Sequence, residues 1–184
     1  GRGRCCYEAP CAARAVLDAA EAIRPGTLDQ CFGGDPDALS STLNVQPCVF
    51  AVDMACAAAV QEAGIVPDCA AGSALGELAA ACFSGMMPFE DALRLVMRRA
   101  EWMQQCSEGH PGGRLAVIRL EAHQVEAICA EFEGAYPVNY NAPGQTVTAC
   151  REELLAPLSA RVAQAGGRAI KLNVSGAFHS PYMS

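Results

Sequence analysis

The segment Gly72-Ser73-Ala74-Leu75-Gly76 has the glycine spacing of a nucleophile elbow, the sharp turn that joins a strand to a helix. In that motif glycines stand two residues before and two residues after the nucleophile, because the strained turn leaves no room for side chains there. Here the glycines flank Ala74, whose methyl group cannot attack an acyl carbon. Ser73 is one position out of register and lacks glycines at the same spacing. A plain glycine turn between a strand and a helix is the alternative interpretation.

Arg99 lies on the apolar side of a helix predicted over residues 88–106. At about 100° per residue it falls between Val96 and Met103, on a face that otherwise collects Phe89, Ala92, Leu95, Val96, Ala100 and Met103. A guanidinium that faces a core needs a carboxylate or a cavity, because an unpaired buried charge is very costly. Two interpretations stay open on these residues: an internal ion pair, or a two-pronged grip on the carboxylate of a ligand.

Only one of the three histidines is placed to do chemistry. His110 lies in a loop beside Pro111, and His123 lies near the start of a polar helix, so both are predicted to be surface residues. His179 follows the last predicted strand in a loop of small residues, which suits a general base. A lone histidine at such a place can also be purely structural.

Composition narrows the class of protein. The chain has 184 residues, 52% of them hydrophobic and 18% charged, which is typical of a globular protein. A net charge of −7 without a basic stripe argues against nucleic acid as a partner. No apolar run of about 18 residues lacks a charge, so no membrane span is predicted. No metal-ligand spacing occurs.

The eleven cysteines are interpreted as free thiols rather than as a disulfide framework. No C-x-x-C pair occurs, and five cysteines fall among small apolar residues inside predicted regular segments, where we expect them to be buried: Cys48, Cys56, Cys69, Cys82 and Cys129. Free thiols indicate a reducing compartment, so a cytoplasmic location is predicted.

The elements that must position these residues form two lobes. The predicted order is a helix over 12–22, loop and short helix over 28–41, a helix from 47 to 64, a short buried strand over 69–71, and helices over 75–84 and 88–106. A second pattern follows, with strands over 115–120, 136–139, 145–149 and 169–174 and helices over 122–132 and 152–165. This βαββαβ order is typical of the ferredoxin-like unit.

The fold class is therefore predicted as α/β. Residues 1–111 and 176–184 are assigned to a large lobe, into which a small lobe of residues 112–175 is inserted. Because the chain opens without methionine and stops at Met183-Ser184, it is expected to be truncated at both ends.

Four segments together resemble the malonyl-CoA:acyl-carrier-protein transacylases and the related acyltransferase domains of polyketide synthases. The segments occur in the family's order and cover nearly the whole chain. They are AGSALGELAA at 71–80, which resembles the G-H-S-L-G-E elbow; residues 39–47, similar to L-x-x-T-x-x-T-Q-P with Val45 replacing the last threonine; NYNAPGQ at 139–145, similar to N-x-N-x-P-G-Q; and SGAFHS at 175–180, similar to the family's histidine segment.

The resemblance implies an α/β-hydrolase-like large lobe and assigns the catalytic positions. Ala74 stands where the family has its nucleophilic serine, and Ser73 stands where it often has histidine. His179 matches the general base that takes the serine proton, and the backbone N–H of Leu75 matches an oxyanion donor. Since Ala74 has no oxygen, the chain as given is expected to form no acyl ester. An engineered substitution and a natural loss of activity both remain open.

The resemblance also assigns substrate contacts. Arg99 falls on the family's malonate-binding arginine, so it is expected to bind the free carboxylate of malonyl. Phe178, just before the histidine, goes with a preference for malonyl over methylmalonyl, because it crowds a methyl branch. Gln46 and Asn141 match polar positions near the family's cleft, although either can merely fix a turn.

The function implied is transfer of malonyl from coenzyme A to acyl carrier protein by way of a seryl ester, in fatty-acid or polyketide biosynthesis. The alternatives are a non-catalytic protein that binds malonyl-CoA and the carrier, or an acyltransferase domain from a polyketide synthase. No metal or bound organic cofactor is expected, since the phosphopantetheine belongs to the carrier. The expected partners are malonyl-CoA and acyl carrier protein, with no nucleic acid, no membrane and a monomeric state.

Overall fold

The structure is a computed structural model that describes residues 3–8, 11–174 and 176–184. It divides into two compact units, Gly1–Glu101 and Trp102–Ser184. The division differs from the predicted lobes, since residues 102–111 and 176–184 group with the second unit and not with the first.

The first unit is built from helices. They are α1 (Arg4–Glu8), α2 (Cys11–Ile23), α3 (Thr27–Phe32), a 3-10 turn (Pro36–Ser40), α4 (Thr42–Glu62), α5 (Leu75–Phe83) and α6 (Phe89–Gly109), whose last turns belong to the second unit. The α2 and α4 helices pack on each other, and their small side chains permit close approach. Leu17, Phe50 and Leu93 are fully buried at the centre of this core, and burial of such side chains stabilises by about 1.5–3 kcal/mol each.

The long helix α4 begins five residues earlier than predicted, at Thr42 rather than near Pro47. Ser41 is the N-cap in an extended conformation, and the N–H of Val45 donates to its carbonyl. Pro47 therefore lies inside the helix, where it removes one hydrogen-bond donor, and does not occupy the first turn.

The same helix is long and apolar enough to cross a membrane, by length and composition alone. However, it carries Asp53 near its middle and buries Phe50, Ala51 and Ala55 completely in the core of the first unit. We interpret it as a core helix.

The predicted strand over residues 69–71 does not form. Residues 61–74 are exposed, and residues 65–71 carry no helix or strand. Across residues 3–8 and 11–101 the structure contains no strand, so the strands that make the fold α/β all lie in the second unit. A short apolar run predicts a strand only if a neighbouring strand pairs with it, and none of the described residues does so here.

The second unit is a four-stranded antiparallel sheet covered by two helices. Its elements are β1 (Gly112–Ile118), α7 (Ala122–Ala130), β2 (Ala135–Ala142), β3 (Gln145–Arg151), α8 (Leu155–Gln164) and β4 (Arg168–Lys171). The strand order is β2-β3-β1-β4, with each neighbouring pair antiparallel. The predicted βαββαβ unit is confirmed, with boundaries shifted by up to three residues.

The C-terminal segment packs on this second unit, which explains why it groups there. A Cβ on Gly176 would lie 2.1 Å from Ser107 Oγ, and a Cβ on Gly112 would lie 2.9 Å from the Cβ of Ala177. The hydroxyl of Tyr182 donates to Gly134 O at 3.1 Å. The close contacts require glycine at positions 112 and 176, and together with the Tyr182 hydrogen bond they attach residues 176–182 to the second unit.

The ten cysteines whose side chains the structure describes are all free. Cys48, Cys82 and Cys129 are buried as predicted. The prediction is wrong for Cys56 and Cys69, which are exposed. Cys69 lies in the loop that replaces the predicted strand, and Cys56 lies on the outer side of α4.

Candidate functional site

The turn at Ala74 is a strained backbone position at the start of α5. Ala74 is the N-cap of the helix and has φ 55° and ψ −115°. A residue with a Cβ adopts a left-handed φ at a cost of roughly 1–2 kcal/mol, so the turn is held by its surroundings. The N–H of Gly76 donates to Ser73 O at 3.0 Å, and that of Glu77 to Ala74 O at 3.3 Å. This sharp entry into a helix matches the helix side of a nucleophile elbow, although no strand precedes it among the described residues.

The two glycines that flank Ala74 differ in whether the structure has room for a side chain at their position. A Cβ on Gly72 would lie 2.0 Å from the carbonyl carbon of Gly76, so no side chain fits at residue 72. An ideal Cβ on Gly76 meets nothing within 4 Å. The prediction that the turn leaves no room for a side chain is therefore correct at Gly72 and wrong at Gly76. The backbone of Gly76 is what a side chain at residue 72 would strike.

Leu75 supplies the first N–H of α5. Among the described residues no backbone carbonyl accepts from it, because the first N–H groups of a helix have no partner within the helix. A donor of this kind beside residue 74 could accept the developing charge of an oxyanion.

Arg99 is held in the first unit by a chain of polar side chains. Its guanidinium donates to Oε1 of Gln46, which is 5% exposed. The Nε2 of Gln46 in turn donates to Oγ1 of Thr42 at 2.6 Å, and Thr42 is buried in the first turn of α4. Thr42 is not among the predicted site residues, although it lies in the segment of residues 39–47 that is similar to the family's L-x-x-T-x-x-T-Q-P.

Arg99 has no carboxylate partner within the described part of the chain. Among the described residues none has an oxygen within 4.0 Å of its guanidinium nitrogens. Burial lowers the pKa of Arg99, and the Glu77 carboxylate opposes that shift from a distance. The effect of Glu77 indicates that the first turn of α5, which follows Ala74, lies within electrostatic reach of Arg99. The internal ion pair is thus absent from the described part of the chain, which favours a ligand carboxylate.

The apolar face of α6 is close to the predicted one. Ala92, Val96 and Ala100 are fully buried. Leu95 is 38% exposed, whereas Leu93 is completely buried in its place. The prediction from helical periodicity is wrong at Leu95, because the face of α6 that packs in the core includes Leu93 and not Leu95. Arg98 pairs with Glu101 at 2.6 Å on the solvent side, as expected of an ordinary surface charge.

A groove of about 330 Å³ lies behind the elbow, between residues 67–71, α4 and α5. Asp53, Ala71, Gly76 and Phe83 are among the residues that line it, and burial raises the pKa of Asp53. Neither Arg99 nor Gln46 lines this groove, so it is not the cavity that would place a ligand on Arg99.

His179 lies in the second unit and has a left-handed backbone, with φ 66°. The hydroxyl of Ser180 donates to Ala177 O and accepts from Tyr182 N, which fixes the turn on either side of His179. Ala177 and Phe178 are buried, whereas His179 is exposed. Ser175, the first residue of the predicted histidine segment, lies outside the described residues.

The remaining predicted polar residues are on the surface. Asn141 is exposed on β2, and His110 and His123 are exposed as predicted. The structure thus brings Arg99 and Gln46 into direct contact within the first unit, which also holds Ala74 and Leu75. Phe178, His179 and Asn141 belong to the second unit.

Comparison with known proteins gives a consistent result. A family model described as "Acyl transferase domain" matches residues 2–184. A malonyl CoA-acyl carrier protein transacylase of Bacillus subtilis is 34% identical over 191 residues, which is 100% of this chain and 60% of that protein. The chain therefore spans less than two thirds of the length of this curated relative.

Two solved structures extend the similarity to the fold. The acyltransferase domain from the second module of the salinomycin polyketide synthase matches with a TM-score of 0.89 and 32% identity, over 100% of this chain and 43% of that one. The malonyl-transacylase of a type II polyketide synthase, solved in complex with its acyl-carrier protein, matches with a TM-score of 0.90 and 28% identity, over 96% and 59% of the two chains.

Proposed function

We infer the function from one premise: the chain belongs to the acyl transferase domain family, as its resemblance predicted. We propose that its reaction is the transfer of malonyl from coenzyme A to an acyl carrier protein through a seryl ester. The relatives named for this activity support the proposal. We also propose the α/β-hydrolase-like large lobe with an inserted small lobe, on the strength of the structural matches.

The observation that carries the choice of malonyl is the environment of Arg99. A half-buried guanidinium fixed by a buried glutamine, with no carboxylate in reach among the described residues, leaves a cationic group for an anionic ligand. Malonyl differs from acetyl by a free carboxylate, which arginine can bind with two parallel hydrogen bonds. We therefore assign malonate binding to Arg99 and its positioning to Gln46.

The proposed reaction needs a hydroxyl at residue 74. A serine Oγ there would add to the thioester carbonyl carbon as His179 took the serine proton, and Leu75 N–H would stabilise the tetrahedral oxyanion. The oxyanion would then reform the carbonyl as the carbon–sulfur bond broke, and His179 would give its proton to the departing coenzyme A thiolate. The carrier thiol would then reverse these steps. Because Ala74 supplies no oxygen, we propose that this chain does not form the ester.

Two residues of the second unit are also proposed to act on the substrate. Phe178 is proposed to favour malonyl over methylmalonyl, supported by its burial beside His179, and Asn141 is proposed as a contact near the substrate. No metal or bound cofactor enters the proposal. A monomer in the cytoplasm is proposed, the location being supported by the free thiols.

A second candidate function follows from Ala74 itself. A chain that keeps the strained elbow and the Arg99–Gln46 pair, yet lacks the nucleophile, could bind malonyl-CoA and the carrier without transferring anything. The polyketide-synthase domain stays a third possibility, supported by the salinomycin match.

Malonyl labelling separates these candidates. The chain and its Ala74→Ser variant are incubated with radiolabelled malonyl-CoA, and covalent label is counted after denaturation. We expect label on the variant only, and the double change Ser73→Ala with Ala74→Ser should keep it. Label on neither protein, with malonyl-CoA still bound, would favour the binding role. Label on the unchanged chain would refute the assignment of Ala74.

A further inference from the structure

The second unit contains an arginine, Arg114, that has no carboxylate partner among the described residues. Arg114 is in the middle of β1, with its side chain half-buried. Its Nη2 donates to Oδ1 of Asn139 on β2. Its Nε is shielded from solvent and has no hydrogen-bond partner among the described residues. Among the described residues no carboxylate lies within 4.0 Å of this guanidinium.

This arrangement is costly for a residue with only a structural role. Burial lowers the pKa of Arg114, which means that the charged form is disfavoured where it stands. A buried donor without a partner is uncommon in native proteins and calls for an explanation such as a missing ion. The antiparallel partner of Arg114 on β3 is Ala149, a small apolar residue that cannot accept the Nε proton through its side chain.

The sheet face that carries Arg114 is the one on which the histidine segment packs. Gly112 and Arg114 are two residues apart on β1, so their Cβ directions share a face, and the Cβ direction of Gly112 meets Ala177. The opposite face of β1 carries Leu115 and Val117, and Leu115 packs in the core that includes residues of α7 and α8. Arg114 thus belongs to the face that also carries the segment with Phe178 and His179.

We propose that Arg114 and Asn139 form a binding site for an oxyanion, a carboxylate or a phosphate group. The Nε and Nη2 hydrogens lie along one edge of the guanidinium, which matches two oxygens of such a group. The Asn139 carbonyl holds this edge in the unliganded chain and satisfies one of its donors. When the ligand enters, the guanidinium turns from Asn139 and both edge donors find oxygens.

Two sources could supply this oxyanion in an acyltransferase: the carboxylate of an acyl group or a phosphate of coenzyme A. The site lies in a different unit from Arg99, and its existence does not depend on the proposed role of Arg99. The experiment therefore starts from an Arg99→Ala chain, in which any remaining oxyanion binding belongs elsewhere.

The test titrates malonate and coenzyme A separately into three proteins by isothermal calorimetry. They are Arg99→Ala alone, Arg99→Ala with Arg114→Gln, and Arg99→Ala with Arg168→Gln, which removes an exposed arginine on β4 as a control. We expect Arg114→Gln to raise the Kd for one of the two ligands about tenfold or more, and the control to leave it unchanged. Loss of malonate binding identifies the acyl carboxylate, and loss of coenzyme A binding identifies a phosphate.

A second variant guards against a folding defect. Asn139→Asp places a carboxylate beside Arg114, so it should raise the melting temperature and weaken oxyanion binding by occupying the guanidinium. Equal affinities for both ligands with and without Arg114→Gln would overturn the proposal. So would an Asn139→Asp chain that binds them as well as its parent.

Discussion

Replacement of Ala74 by glycine should stabilise the protein. In most places Ala→Gly destabilises, because glycine has more conformational freedom to lose on folding. At residue 74 the backbone has φ 55° and ψ −115°, which alanine adopts only under strain and glycine adopts readily. The sign of the effect therefore reports whether the elbow is strained.

The expected size follows from two opposing contributions. Relief of a sparsely populated backbone conformation is worth about 1–3 kcal/mol, and the extra freedom of glycine in the unfolded chain costs about 0.4–1 kcal/mol. The net gain should be roughly 1–2 kcal/mol. For a chain of this length that raises the Tm by about 2–8 °C.

Urea and thermal unfolding of the chain and of Ala74→Gly measure this directly. Ala71→Gly is the matched control, since Ala71 is an exposed loop alanine without a positive φ. The free energy of unfolding of Ala71→Gly should be lower than that of the unchanged chain by about 0.4–1 kcal/mol. If Ala74→Gly loses stability to the same extent as this control, the turn is not strained and the elbow geometry is refuted.

Two further predictions concern other parts of the molecule. The Glu21 carboxylate accepts hydrogen bonds from the N–H groups of Leu28 and Gly26 at 2.8 Å each. These bonds lower the pKa of Glu21 below the ordinary 4.5. The stability that they give is present above pH 4.5 and is lost as the pH falls through the folded-state pKa. The Tm advantage of the chain over Glu21→Gln should therefore be larger at pH 7 than at pH 3, and an advantage that does not shrink on acidification would contradict this. Burial raises the pKa of Cys129 to about 12. Iodoacetamide should therefore label the exposed Cys56 and Cys69 of the native chain long before Cys129, as measured by peptide mass mapping. Early labelling of Cys129 would contradict this and would mean that its helix opens readily.

Periodicity predicted the second unit well. Along β1 the buried Leu115 and Val117 alternate with the half-buried Arg114 and Ala116, which is the signal of a strand covered by helices on one face. Each connection is short and carries its own turn residues, so the order of the elements along the chain could be predicted from the sequence.

Contacts distant in sequence limited the prediction of the first unit. Residues 69–71 are apolar enough for a buried strand, but without a paired neighbour among the described residues they are exposed loop. Proline at 47 suggested a helix start, whereas Ser41 caps the helix one turn and more before it. Neither outcome is encoded within a local window.

The candidate site shows the same division. Helical periodicity placed Arg99 toward the interior from its neighbours alone, and the glycine spacing located the strained residue at 74. The partner of Arg99, Gln46, lies 53 positions away in the sequence, and only the resemblance to the family pointed to Gln46. Thr42 and Arg114 gave no local signal, because a buried threonine and a strand arginine acquire their meaning from what they contact.

The affinity for malonyl-CoA relative to acetyl-CoA tests the account most directly. Arg99→Ala should weaken binding of malonyl-CoA about 10- to 100-fold, since a charge-assisted pair of hydrogen bonds is lost, and should leave acetyl-CoA nearly unchanged. Arg98→Ala, which removes the neighbouring surface arginine, should affect neither ligand. Equal weakening of malonyl-CoA and acetyl-CoA by Arg99→Ala would contradict the assignment of this guanidinium to the malonyl carboxylate.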